Sequence, residues 1–178
     1  MNVSLVPCQP LHQADFRALY EEAFPQGERK AFDQLLSNQA AGVYHLWVAL
    51  DPDGQFVGLA STVLYRDFVL LDYLAVCPHR RGGGIGHGML AALRVQYPHR
   101  HLFLEIESPD VRATNAEQRA RRLAFYLDAG LVRTDVHAHI YGEEMELLAY
   151  PQDAPFITFS IYREMLSATF PPDMQPLP

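Results

Sequence analysis

Little in the chain marks it for the cell exterior or for a membrane. Two cysteines, Cys8 and Cys77, stand far apart in 178 residues. They are too few to staple a small secreted fold and suit free thiols in a reducing compartment. No apolar run reaches the roughly 18 residues that a membrane-spanning helix needs. The N-terminus also lacks the basic-then-apolar order of a signal peptide. The expectation is a cytoplasmic protein without membrane contact. Cations are scarce too: 14 Lys and Arg face 21 Asp and Glu, for a formal charge of −7. That balance argues against nucleic acid as a partner and mildly favours cationic substrates. There is no internal repeat and no low-complexity tract. What remains is 49% apolar and 20% charged, an ordinary globular composition. Its length fits one domain over residues 1–170, with 171–178 a flexible tail.

The chain is organised around Val76 to Leu90, Val-Cys-Pro-His-Arg-Arg-Gly-Gly-Gly-Ile-Gly-His-Gly-Met-Leu. Phe68 to Val76 ahead of it is apolar and β-prone, a buried strand that Pro78 stops because it has no N–H for a ladder. Behind it, Ile85, Met89 and Leu93 recur at helical spacing, so a helix begins near Gly84. Between the two lie five glycines in seven positions (82–88) and two arginines. Glycine lets backbone N–H groups approach a ligand, and a helix N-terminus adds unpaired donors and a positive dipole end. Arginine adds charge-assisted bonds to phosphate oxygens. The stretch reads as an anion cradle for a pyrophosphate.

Three phosphate loops compete for it. Gly83 and Gly88 have Walker A spacing, but Met89 and Leu90 stand where Lys and Ser/Thr are required. Gly86-His-Gly88-Met-Leu-Ala91 is a literal G-x-G-x-x-A with Glu105 and Glu107 beyond it, the dinucleotide fingerprint. A Rossmann strand, however, runs straight into its first glycine, and this one ends ten residues earlier. The third pattern is Arg81-Gly-Gly-Gly84-Ile-Gly86 behind Val76-x-Pro78. These residues resemble the coenzyme A pyrophosphate loop of the GNAT superfamily, the acyl-CoA-dependent N-acyltransferases. A second stretch, Arg121-Arg-Leu-Ala-Phe-Tyr126-Leu-Asp-Ala-Gly-Leu131, resembles that family's Tyr-bearing helix, with Leu131 in place of a phenylalanine.

The rest of the chain supports that context. Residues 2–8 read as a first strand, Leu11 to Phe24 as an amphipathic helix, and Glu28 to Leu36 as a short second helix. Val43 to Leu50 and Phe56 to Tyr65 are strands joined by an Asp51-Pro-Asp-Gly54 hairpin turn. An antiparallel meander therefore leads into the glycine loop. Leu102 to Glu107 alternates as a strand with Phe103, Glu105 and Glu107 on one face. Ala116 to Ala129 is a helix ended by Gly130. Leu131 to Ile140 and Met145 to Tyr150 are closing strands, and 156–170 is a C-terminal helix. Over residues 43–150 the resemblance implies an α/β fold, with a central, mostly antiparallel mixed sheet splayed at the coenzyme site and flanked by helices.

The resemblance also implies a chemistry. Backbone groups of Leu74, Ala75 and Val76 would meet the pantetheine of acetyl-CoA. Arg81, Gly82, Gly83, Gly84, Ile85, Gly86 and His87 would hold its pyrophosphate. No metal is needed, because the thioester is already activated. A primary amine at neutral pH is mostly ammonium, so a base must free its lone pair. Asp72, four residues before Val76, is one candidate, or else a structural pairing partner; Glu107 and Glu105 are others, or they bind the substrate ammonium. Tyr126 matches the family position of the acid that serves the departing thiolate. An Asn common seven residues before that Tyr is replaced here by Arg119, and Asn115 lies nearby. Arg119, Arg121 and Arg122 read as a solvated helix face. The pairs His99/His101 and His137/His139 have metal-compatible spacing but no further ligands around them.

The function implied is acetyl transfer from acetyl-CoA to a primary amine of a small molecule or peptide, by direct attack in a ternary complex. The alternatives are a non-catalytic acyl-CoA-binding regulatory module and an NAD-dependent oxidoreductase. The acceptor carries no signature in the sequence, and oligomeric state is open between monomer and homodimer.

Overall fold

The computed structural model describes residues 3–109, 112–140 and 142–169. Seven strands form one sheet in the order β1-β2-β3-β4-β5-β7-β6. They are β1 (Ser4–Pro7), β2 (Tyr44–Leu50), β3 (Phe56–Tyr65), β4 (Phe68–Val76), β5 (His101–Glu107), β6 (Val132–Ile140) and β7 (Glu143–Ala149). The helices are α1 (Gln13–Ala23), α2 (Phe32–Ala40), α3 (Ile85–Gln96), α4 (Ala116–Asp128) and α5 (Phe159–Thr169). Pairs β1–β2, β2–β3, β5–β7 and β6–β7 are antiparallel. A mixed, mostly antiparallel sheet flanked by helices is the architecture the sequence implies. None of the described helices is long and apolar enough to cross a membrane. The chain divides into two compact units, Met1–Leu64 with Leu71–Pro98, and Tyr65–Leu70 with His99–Pro178.

In the first unit β2 and β3 are buried along almost their whole length, the pattern of strands covered on both faces. Helix α1 buries Phe16, Leu19 and Tyr20, and α3 buries Ile85, Met89, Leu90 and Leu93. The β2–β3 hairpin turns as its residues dictate. Asp51 Oδ1 accepts the amides of Asp53 (3.0 Å) and Gln55 (2.9 Å), and Gly54 takes φ +77°. Those amide bonds, chiefly Gln55's, together with Arg80 hold the Asp51 carboxyl below its ordinary range.

Two features fix α3 against the sheet. Past its C-terminal end, the Tyr97 hydroxyl lies 2.7 Å from Thr62 Oγ1, 2.8 Å from His45 Nδ1 and 3.2 Å from Trp47 Nε1. Midway along, a Cβ at Gly58 of β3 would stand 2.7 Å from the Ala75 carbonyl oxygen and 3.0 Å from Met89 Sδ. Glycine is what lets α3 and β4 approach β3 that closely.

In the second unit β7 lies between β5 and β6. Helix α4 ends in a Schellman motif: Leu131 N bonds Tyr126 O (3.1 Å), Gly130 N bonds Leu127 O (3.0 Å), and Gly130 takes φ +88°. Phe103 of β5 packs edge-on against Tyr162 of α5, with ring centroids 6.2 Å apart.

Three helices begin later than the sequence suggests; the first starts at Gln13, after a 3-10 turn over Pro10–His12. The second starts at Phe32, because Arg29 and Ala31 are extended and tyrosine hydroxyls bond the backbone of residues 28–30. The C-terminal one starts at Phe159, where Thr158 Oγ1 accepts the Ile161 amide (3.3 Å), an N-cap that leaves residues 154–156 as a separate 3-10 turn. Asn2, Phe170 and the 171–178 tail lie outside the described residues.

Gly58→Ala should lower stability by about 1–3 kcal/mol, as overpacking does. Urea unfolding measures it, and an unchanged midpoint would show that β4 and α3 can move apart at no cost.

Candidate active site

Strand β4 ends at Val76, Pro78–Arg80 make one 3-10 turn, and α3 starts at Ile85. Gly82 and Gly84 adopt φ +79° and +76°, left-handed values that favour glycine. Gly84 is the N-cap of α3, and no side chain caps the helix. The amides of Ile85 and Gly86 precede the first i→i−4 bond, from Gly88 N to Gly84 O (3.0 Å), so no carbonyl within the helix takes them. A Cβ at Gly82 or Gly84 meets nothing within 4 Å, so the space beside these two glycines is open. Gly82, Gly83 and Gly84 are exposed, and Gly86 and His87 are half-buried.

The two arginines divide their work. Arg80 Nη2 bonds Asp51 Oδ2 at 2.5 Å and ties the loop to the β2–β3 turn. Exposed Arg81 donates from Nε to the Val76 carbonyl (3.1 Å), which seats its guanidinium at the end of β4.

Along β4, Asp72, Leu74 and Val76 are half-buried while Tyr73 and Ala75 are buried, so the even positions form the accessible face. Asp72 is paired. Lys30 Nζ lies 3.0 and 2.9 Å from its two oxygens, and the Tyr44 hydroxyl donates to Oδ2 (3.1 Å). The Asp72 side chain is 7% exposed and that of Lys30 12%. Burial, reinforced by the Asp72 charge, pushes the Tyr44 hydroxyl far above its ordinary range and keeps it a donor.

The second unit holds the other candidates. Glu107, at the end of β5, is gripped by α4: Arg119 Nη2 sits 2.9 Å from Oε1, and Arg122 Nη1 2.7 Å from Oε2. Asn115 Nδ2 adds a bond to Oε1 (3.2 Å). Burial alone would raise the Glu107 carboxyl, but the Asn115 and Arg122 bonds and both arginine charges win and hold it below its ordinary range. Glu105 accepts a hydrogen bond from the Tyr162 hydroxyl. Tyr126 shares the α4 face of Arg119 and Arg122. It is 9% exposed, and among the described residues no group bonds its hydroxyl. Burial raises its pKa to about 12, with Arg122 pulling the other way.

One reading of the sequence needs correcting. Arg119 is not on a solvated face: it is 2% exposed and also bonds Asn115 Oδ1 (2.8 Å), Ser108 O (3.3 Å) and Glu143 Oε2 (2.7 Å). The Asn115–Arg119–Arg122 spacing puts all three on one helix face, the signal that could have shown it. Arg121 is exposed and pairs with Glu117. Of the histidines, His101 turns to Asp153 (3.3 Å) and stacks on Phe156, while His99, His137 and His139 are exposed.

The family model for the acetyltransferase (GNAT) family matches residues 10–125. The chain belongs to the GNAT acetyltransferase family. Solved GNAT folds are similar at low identity. A GNAT-family protein from Bacteroides thetaiotaomicron shares 23% identity at TM-score 0.68, over 82% of this chain and 85% of that one. The ribosomal-protein-S18-alanine N-acetyltransferase of Escherichia coli shares 21% at 0.62, over 84% and 93%. Spermidine N-acetyltransferase from Vibrio cholerae, solved with CoA and spermine, shares 10% at 0.64, over 88% and 99%. A search of curated proteins returns no match.

For a GNAT chain, the fit of coenzyme A is the question the loop must answer. Amides at the start of α3 that no side chain caps, open space beside Gly82 and Gly84, and an exposed arginine in the same loop suit a pyrophosphate. The matched region contains this loop, Asp72, Glu105 and Glu107 and stops one residue short of Tyr126. Sequence reasoning passed over Lys30 and Tyr44, although Lys30 is the only lysine in the chain.

Arg119→Ala should cost about 3 kcal/mol in urea unfolding, as removing one member of a buried charge cluster does. Because the folded-state pKa of Glu107 is depressed, its contribution is present above the ordinary carboxylate range and is lost as pH falls through the depressed folded value. Glu107→Gln should therefore be less stable than wild type at pH 7, with the gap closing in acid. A gap independent of pH would show that Glu107 acts by shape alone.

Proposed function

We propose that the chain is an N-acetyltransferase that moves an acetyl group from acetyl-CoA to a primary amine of a small molecule or peptide, by direct attack in a ternary complex. Residues 1–170 act as one catalytic domain, consistent with a family match that runs through both compact units. The observation that carries this reading is the uncapped start of α3 behind two left-handed glycines, at the end of a strand whose last carbonyl holds Arg81.

Acetyl-CoA supplies, when bound, an acyl group already activated as a thioester. The chain's residues do the rest. Arg81 and the backbone of Gly82, Gly83, Gly84, Ile85, Gly86 and His87 bind the pyrophosphate. The backbone of Leu74, Ala75 and Val76 aligns the pantetheine. Asp72 holds the incoming ammonium and takes its proton. Glu105 adds a second negative charge toward the amine. Glu107 serves as a positioning residue, since a carboxylate held below its ordinary range by two arginines is a poor base; it fixes the α4 face that carries Tyr126. Tyr126, with a pKa near 12, stays protonated and donates a hydrogen bond to the departing sulfur. Its hydroxyl has no bonding partner among the described residues, which leaves it open to a bound sulfur.

A second reading rests on Lys30. Its ammonium already occupies Asp72, as in a coenzyme-binding module without turnover. The NAD reading has no support in the family match or in the antiparallel strands before the loop.

Thermal unfolding with acetyl-CoA, coenzyme A, NAD and ATP in parallel tests the proposal. A ligand at 100 times its Kd stabilises by about 2.7 kcal/mol, so the first two should raise the midpoint and the others should not. Gly84→Glu, which puts a side chain and a negative charge at a left-handed position, should abolish the rise; a retained rise would refute the loop assignment. Tyr126→Phe should keep the rise yet lower kcat for thiol release about 10²-fold. No release with any amine, and indifference to Tyr126→Phe, would favour the binding module.

A further inference from the structure

Lys30 is the only lysine in a chain with 14 Lys and Arg. Its side chain is 12% exposed. Both Asp72 oxygens take its ammonium at 2.9 and 3.0 Å. The rings of Tyr73 and Tyr44 lie 5.1 and 5.9 Å from Nζ, a cation–π arrangement suited to an alkylammonium. Its backbone is pinned too: the Tyr73 hydroxyl donates to Glu28 O (2.8 Å) and accepts the Lys30 amide (3.4 Å), and the Tyr20 hydroxyl donates to Lys30 O (3.2 Å).

An ion pair alone does not call for lysine here. The chain pairs Asp51, Glu107 and Glu146 with arginines, the residue better suited to a buried carboxylate. Lysine offers what arginine lacks, an amine that can lose a proton and become a nucleophile. Asp72 stands two residues before Leu74 on the same face of β4, about 6–7 Å along the strand, within the swing of a lysine side chain. The one amine side chain in the molecule is therefore held at the middle of β4, two residues short of Leu74 on the same face.

We propose that Lys30 is an acetyl acceptor within its own chain, modified when acetyl-CoA is bound and no other amine competes for Asp72. This rests on the acetyl-CoA reading above. The step balances. Lys30 Nζ gives one proton to the Asp72 carboxylate, and its lone pair forms a C–N bond to the acetyl carbonyl carbon. The C–S bond breaks, the thiolate leaves and takes up a proton as the thiol, and the amide nitrogen loses its second proton to solvent. Lys30 becomes a neutral amide, and Asp72 loses its counter-ion.

The test is the mass of the intact purified chain before and after incubation with acetyl-CoA in amine-free buffer, with peptide mapping and a thermal midpoint on the same samples. The expected result is a gain of one acetyl group, mapped to Lys30, and a lower midpoint once Asp72 is unpaired. Lys30→Arg should take up none at that position, and Asp72→Asn should acquire the group about 10²-fold more slowly. An added primary amine should slow the gain. An unchanged mass in a chain that coenzyme A still stabilises would overturn the proposal and leave the acetyl-CoA reading standing. An unchanged mass with no stabilisation by coenzyme A would count against that reading itself. Acetylation of Lys30 at equal rates in wild type and Asp72→Asn would show chemical leakage and also overturn the proposal.

Discussion

The first amides of an α-helix have no carbonyl inside the helix to bond, and most helices answer with a side-chain cap. At α3, as at α1, α2 and α4, no side chain gives that answer, and here the N-cap is a glycine at the end of an exposed glycine loop. Gly84, in a left-handed conformation, offers no side chain, and Ile85 follows at once. The rest of the first unit keeps this uncapped end in place. Gly58 lets Met89 close on the sheet, Tyr97 anchors the far end through Thr62, His45 and Trp47, and Arg80 ties the loop to Asp51. The helix cannot shift to satisfy its own donors, so they stay available to an anion.

A second constraint is charge. The chain is acidic, yet four of its buried or half-buried carboxylates have an arginine or lysine partner: Arg80 for Asp51, Lys30 for Asp72, Arg119 and Arg122 for Glu107, Arg133 for Glu146. Removing one partner from such a pair costs far more than the pair contributes, which is why these contacts hold elements in register. Tyr126 differs from them. Its side chain is largely buried, burial keeps its hydroxyl protonated, and no group among the described residues bonds it.

Much of this was legible in the sequence. Phe68 to Val76 is a strand because its residues are mostly apolar and β-prone and Pro78 stops it, and α3 starts beside a left-handed glycine because helical periodicity begins there. The hairpin at Asp51-Pro-Asp-Gly54 follows from turn chemistry. What stayed hidden was tertiary. Periodicity cannot show that the Tyr20 and Tyr73 hydroxyls would bond the backbone of Glu28 and Lys30 ahead of α2, nor that Lys30 would reach 42 residues along to Asp72. Arginines on α4 look alike in sequence; only Glu107 and Glu143 make Arg119 a buried one. Pairing partners, more than elements, were what the sequence concealed.

The most direct test of the central claim reads the amides themselves. Backbone NMR of the full chain, titrated with coenzyme A, should shift the Ile85 and Gly86 amide resonances strongly and slow their hydrogen exchange, while adenosine without phosphates leaves both unchanged. If coenzyme A binds yet those two amides neither shift nor gain protection, the uncapped start of α3 is not the anion cradle.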